Sequence, residues 1–286
     1  MPLERFFTIP QLLQRKADRK PVAMVTAYDA VQAQIADEAG ADVILVGDSL
    51  GMVTLGFDTT LPVTLDDMIR HTQAVVRGLA AHASPAPPNA VQKARGALQP
   101  MIVADLPFGS YGASPEDGVR SAVLLMAEGG AHAVKLEGGA AMAETIRRIV
   151  AIGIPVIGHL GLTPQSVHRF GGWKIQGKTE AAADALLADA QAITEAGVCG
   201  MVLEVIPATV ARRVTQSVTV PTIGIGAGLD CDGQVQVFHD LVGLLDQPPF
   251  KHARRYVDAR TVLRDGLAAY VRDVRDRHFP GEENSF

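Results

Sequence analysis

The chain has 286 residues, 48% of them hydrophobic, enough to bury one large core at a length that α/β barrels commonly use for a single domain. Its net charge of −5 supplies no broad basic field, which argues against nucleic acid as a partner. Two cysteines, Cys199 and Cys231, offer no pairing framework and fit a reducing compartment. The opening MPLERFFTIPQLLQRK has an early acid and no signal core, and the apolar runs are strand-sized, so a cytoplasmic protein with no membrane span is expected.

In chain order, the apolar, β-branched runs Val22–Tyr28 and Val43–Asp48 read as two strands. Thr64 then opens the helical pattern LDDMIRHTQAVVRGLAA. Residues 83–100, ASPAPPNAVQKARGALQP, break the rhythm: prolines cluster and large apolar groups are few, so a flexible surface insertion is expected. A third strand follows at Met101–Pro107, and Ser114-Pro115-Glu116-Asp117 starts a helix with a cap, a first-turn proline and two acids. Further strands are expected at Ala133–Glu137, Pro155–Gly161, Gly200–Pro207 and Pro221–Gly228, with a weaker eighth at Val235–Phe238 or Leu241–Leu245. Asp258–Asp276 has helical amphipathic spacing that would cover the barrel or a neighbouring subunit, and the tail from Pro280 is expected to fray.

Strands apolar on both faces and joined by helices mean a parallel sheet. Seven clear βα units and a weak eighth favour a closed (β/α)₈ barrel over an open doubly wound sheet. No GxGxxG follows the first strand and no GxxxxGK[ST] occurs. The organisation expected is one barrel domain over residues 1–286.

One phrase occurs three times: Glu38–Asp48 (EAGADVILVGD), Glu128–Glu137 (EGGAHAVKLE) and Glu195–Glu204 (EAGVCGMVLE). Each is a helix end, a glycine and an apolar run that stops on a carboxylate. Met101–Asp105 ends the same way. In a barrel, Asp48, Asp105, Glu137 and Glu204 then converge on one mouth, an arrangement that calls for protonation or a cation. Lys135 shares the inward face of Glu137 by the period of two and needs an anion beside it. His159, in GHLGLTP, falls near a strand end and is as readily a hydrogen-bonded loop residue as a catalytic one; Ser49 follows Asp48 in a turn suited to a substrate carboxylate. Any one of these acids alone is equally well a cap or an ion-pair partner. His71, His132, His168 and His239 read as solvated or helix-end residues, and GIGAG at Gly224–Gly228, with no adjacent base, as a tight turn rather than a phosphate cradle.

The blocks VTAYDA, ILVGDSLGMV, TLPVTLDDMIRH, ADLPFGSY, AVKLEGG, GHLGLTPQSVH, VLEVIP and IGIGAGLDCDGQVQVFHD, in order from about Thr8 to Leu245, resemble the ketopantoate hydroxymethyltransferase family. The resemblance implies a (β/α)₈ TIM barrel of the phosphoenolpyruvate/pyruvate type and a homo-oligomer, typically a decamer. It also implies Mg²⁺, with 5,10-methylenetetrahydrofolate as co-substrate in pantothenate synthesis. Position by position it puts metal ligands on Asp48, Asp105 and Glu137, oxo-acid contacts on Asp48, Ser49, Asp105 and Lys135, and the proton acceptor on Glu204. Residues 83–100 depart from the family's shorter connection. A carbon–carbon lyase on the same barrel, without folate, and a non-catalytic metal-dependent assembly are the alternatives that turnover with and without the folate separates.

Overall fold

A computed structural model describes residues 5–81, 98–246 and 250–286. Most of the insertion expected at 83–100 lies outside the described residues. At its end Gln99 is buried, pairs with Phe6 in a parallel bridge and donates its side-chain amide to the carbonyl of Leu79 at 2.7 Å. The chain forms two compact units, Met1–Val237 and Phe238–Phe286.

The first unit is a closed barrel of parallel strands in sequence order: β1 Val22–Thr26, β2 Val43–Val46, β3 Met101–Asp105, β4 Ala133–Glu137, β5 Val156–Gly161, β6 Gly200–Glu204, β7 Thr222–Ile225 and β8 Gly233–Gln236. β8 pairs with both β1 and β7 and closes the ring. It starts before either stretch expected for it, and Leu241–Leu245 is no strand: its first residues end the helix Phe238–Val242. The β8 sequence GQVQ carries no apolar run because Gln234 faces solvent and only alternate residues are buried.

Period two divides the strand side chains between two cores. Val22, Met24, Val43, Leu45, Met101, Val103, Ala133, Ile157, Val202 and Ile223 fill the barrel interior, joined by Phe7 and by Leu12 from the helix Ile9–Ala17. Ile44, Val46, Ile102, Ala104, Val134, Leu136 and Leu203 point outward against the helices. Continuing the inward series along β3, β4, β5 and β6 reaches Asp105, Lys135, Glu137, His159 and Glu204. The interior is therefore apolar below and charged at the C-terminal mouth.

The threefold phrase makes one structure. Gly40, Gly130 and Gly197 all have positive φ, at 83°, 81° and 102°. The next residue's N–H then reaches back to the helix: Ala41 to Ala36, Ala131 to Leu125, Val198 to Ile193. This is the glycine-terminated helix end, which turns the chain into the following strand. The predicted starts also form: Asp117 N–H donates to Ser114 Oγ at 3.1 Å and Asp67 N–H to Thr64 Oγ1 at 3.1 Å.

In the second unit the helix Ala259–Arg275 has Asp258 as its cap, Thr261 N–H donating at 3.4 Å, and none of its residues is buried. Leu263, Leu267, Tyr270 and Val274 lie exposed along it. Residues Glu282–Asn284 of the tail form a 3₁₀ turn. No helix among the described residues is long and apolar enough to cross a membrane.

Candidate active site

Asp105 and Glu137 are the last residues of β3 and β4, while Asp48 lies two residues beyond β2. All three are buried, as is Lys135. Lys135 Nζ stands 2.9 Å from Asp105 Oδ1 with both side chains at most 5% exposed, and the backbone N–H of Asp48 donates to Asp105 Oδ2 at 3.1 Å. Ser49 Oγ shares a 2.8 Å hydrogen bond with the buried Tyr28 hydroxyl. The residues expected to form one site are thus brought together, with Glu204 joined through an intermediary.

That intermediary is His159, which sits within β5 opposite Glu137 in the sheet register rather than in a loop. Its Nδ1 lies 3.3 Å from Lys135 Nζ and 3.4 Å from Glu137 Oε1, and its Nε2 3.2 Å from Glu204 Oε2. Lys135 Nζ, which only donates, and the Glu137 carboxylate, which only accepts, make opposite demands on Nδ1, while Nε2 faces the Glu204 carboxylate. Burial and Lys135 oppose a charged ring, and Glu137 and Glu204 outweigh them, moving the His159 pKa up to about 9.

The backbone beside Glu204 is heavily constrained. Val205 takes φ +46°, unusual for a β-branched residue, and is held there by its N–H donating to Ile225 O at 2.8 Å and its carbonyl accepting from Gln176 N–H at 3.1 Å. On the other side the Glu204 carbonyl accepts the Leu162 N–H at 2.8 Å. Gly161 leaves room for this approach, since a Cβ there would fall 2.2 Å from that oxygen.

Two residues without an expected role complete the cluster. Gln165, in the turn after β5, and Tyr111, after β3, hydrogen-bond to one another at 2.7 Å and reach Asp48 and Glu137. Both occur in motifs that carry the family resemblance, but a loop has no periodicity from which to infer the direction of a side chain. Glu137, His159 and Gln165 also line a cavity of about 640 Å³, together with Phe108, Tyr111 and Leu186.

Of the remaining histidines, His71 and His132 are packed rather than solvated. Tyr28 O lies 2.6 Å from His71 Nδ1, and His132 Nδ1 accepts from the Ile102 N–H at 3.1 Å. Burial alone lowers the His132 pKa to about 4. His239 is buried as well. In GIGAG, a Cβ at Gly228 would meet Ala208 at 2.5 Å, as expected for tight packing.

Charge balance in the cluster favours a cation. Burial, then Asp105 and Glu137, push the Asp48 pKa up to about 8 against the opposing effects of Lys135 and Gln165. Glu137 Oε1 is buried without a well-directed hydrogen bond. Among the described residues no three His, Cys, Asp or Glu side chains already stand as a metal cage. The donors are nonetheless carboxylate oxygens in excess of local positive charge, which suits a hard divalent ion.

A closed parallel barrel with acids at its C-terminal mouth defines a (β/α)₈ enzyme, and the chain shares this fold with solved barrels of the phosphoenolpyruvate mutase/isocitrate lyase type. It superimposes on 2,3-dimethylmalate lyase, a member of that superfamily, with a TM-score of 0.57 at 17% identity, covering 97% of this chain and 91% of the other. For a phosphonopyruvate hydrolase in complex with oxalate and Mg²⁺ the TM-score is 0.58 at 13% identity, over 97% and 93%.

Sequence comparison narrows this to one family. The profile of ketopantoate hydroxymethyltransferase matches residues 6–85 and 88–282. The 3-methyl-2-oxobutanoate hydroxymethyltransferase of Moorella thermoacetica is 51% identical over 98% of this chain and 97% of its own, and that of Carboxydothermus hydrogenoformans 46% identical over 98% and 95%. The chain belongs to the ketopantoate hydroxymethyltransferase family and is a hydroxymethyltransferase.

Proposed function

We propose that the enzyme transfers a hydroxymethyl group from 5,10-methylenetetrahydrofolate to 3-methyl-2-oxobutanoate, giving ketopantoate for pantothenate synthesis. The observation that carries this reading is the arrangement of charge: a buried lysine among three buried acids, joined through His159 to a fourth acid, Glu204, outside the group. Asp48, Asp105 and Glu137 would hold Mg²⁺. Asp48, Ser49, Asp105 and Lys135 would seat the oxo acid, with the Lys135 ammonium beside its carboxylate. When bound, Mg²⁺ supplies positive charge that acidifies the C3 proton of the oxo acid and stabilises its enolate.

Glu204 is the general base. It is not needed as a metal ligand, and its side chain is 16% exposed, more open than Asp105, Lys135 or Glu137. His159 Nε2 lies 3.2 Å from its carboxylate, and the strained Val205 backbone fixes the main chain beside it. The folate carries the activated carbon, leaving position and electrostatics to the protein. The cavity beside Glu137 and His159 supports a site of this size for the co-substrate. A homo-oligomer, decameric by the family's pattern, is supported by the exposed apolar residues of Ala259–Arg275. The two free cysteines fit a cytoplasmic enzyme.

Product analysis with and without 5,10-methylenetetrahydrofolate tests the reading. Ketopantoate should form only when folate and Mg²⁺ are both present. Cleavage of an oxo acid independent of folate would make the protein a lyase, and no turnover under either condition would make it non-catalytic.

A further inference from the structure

Gln165 ties together two acids that come from different strands. It lies in the 3₁₀ turn Pro164–Ser166 after β5 and is buried. Its side-chain Nε2 donates to Asp48 Oδ2 at 2.8 Å and to the carbonyl of Leu106 at 3.0 Å, while its backbone N–H donates to Glu137 Oε2 at 3.0 Å. Its Oε1 accepts from the Tyr111 hydroxyl at 2.7 Å, and that hydroxyl accepts in turn from the Glu137 N–H at 3.1 Å.

These partners leave the amide one orientation. The Leu106 carbonyl only accepts, so Nε2 must face it, with Asp48 beside it, and the Tyr111 proton then meets Oε1. One oxygen of Asp48 and one of Glu137 are pinned by N–H groups of a single residue, and Glu137 Oε1 is left without a directed donor. Neutral donors can do this without adding charge to a group that already holds three acids.

We propose that Gln165, locked by Tyr111, is a positioning residue that sets the spacing of Asp48 and Glu137 and presents their other oxygens to a divalent cation. This rests on the reading of Asp48, Asp105 and Glu137 as the ligands of that cation. It is a role for an outer partner of the ligands, whose loss commonly weakens metal affinity 10–100-fold. Gln165→Met keeps length and volume and removes both the N–H donors and the acceptor of the side chain.

The test is Mn²⁺ binding to the full-length protein, followed by electron paramagnetic resonance of the free ion, with circular dichroism to confirm the fold. Gln165→Met should bind Mn²⁺ about 10–100-fold more weakly than wild type while its spectrum is unchanged. Tyr111→Phe, which deletes one hydroxyl and keeps the ring, should weaken it about fivefold and serves if the first variant does not fold. The two losses should not add, since both act through one amide. Wild-type affinity in either folded variant overturns the proposal and leaves the metal reading intact. Failure of the wild-type protein to bind Mn²⁺ overturns the metal reading, and the proposal with it.

Discussion

Replacing Lys135 by methionine removes the only ammonium within the acid cluster among the described residues and keeps most of the aliphatic stem. Nζ lies 2.9 Å from Asp105 Oδ1, and both side chains are nearly inaccessible. Burial works against the ammonium, and Asp105, Glu137 and Asp48 outweigh it, holding the lysine above its ordinary range. At an effective dielectric constant of about 20, a pair 2.9 Å apart gains about 6 kcal/mol before desolvation. Loss of one member of a buried pair commonly costs about 3–5 kcal/mol, because the other charge is left uncompensated. Lys135→Met should therefore lower unfolding stability by about 3–5 kcal/mol, measured by urea denaturation with EDTA at neutral pH. The same reasoning makes Asp105→Asn compensatory: the double variant should be more stable than Lys135→Met alone. A loss below about 1 kcal/mol, or a double variant less stable than the single one, would refute the argument.

Two further outcomes follow from the same interior. The Asp48 carboxyl titrates at about 8 in the folded chain against 3.8 for an ordinary one, so the unfolded chain ionises first as pH rises. Without divalent ions its contribution should fall between about pH 4 and pH 8, by a few kcal/mol in urea unfolding; Asp48→Asn and added Mg²⁺ should each flatten the slope, and an unchanged slope in Asp48→Asn would contradict this. Gly161 has φ +94°, and an alanine Cβ would lie 2.2 Å from the Glu204 carbonyl oxygen, so Gly161→Ala should cost at least about 2 kcal/mol in the same assay and break the bond from Leu162. A variant within about 0.5 kcal/mol of wild type would show that the approach is not constrained.

What was legible in the sequence was whatever the strand period carries. Alternation puts Lys135 and Glu137 on one inward face, and the barrel rule brings Asp48 and Asp105 to the same mouth. The closing strand was less legible because Gln234 and Gln236 replace the apolar residues that marked the other seven. Gln165 and Tyr111 were not assigned because each acts from a loop, where direction is set by tertiary partners such as the Leu106 carbonyl and the Glu137 N–H. His132 follows a helix end as expected but is not solvated, because its position says nothing of the Ile102 N–H on the adjoining strand. The strain at Val205 has no signature in the motif VLEVIP, since valine is an ordinary strand residue and the bonds to Ile225 and Gln176 that accompany the left-handed conformation are tertiary.

The assignment of Glu204 as the base is tested most directly by exchange of the C3 hydrogen of 3-methyl-2-oxobutanoate with deuterated water, read by NMR. Wild-type enzyme with Mg²⁺ should exchange that hydrogen even without folate, because enolisation precedes carbon transfer. Glu204→Gln keeps size and hydrogen bonding, so oxo-acid and metal binding should persist while exchange falls about 10²–10⁴-fold. Exchange at the wild-type rate in a folded Glu204→Gln enzyme would contradict the account and move the proton acceptor elsewhere, with His159 the next group to test.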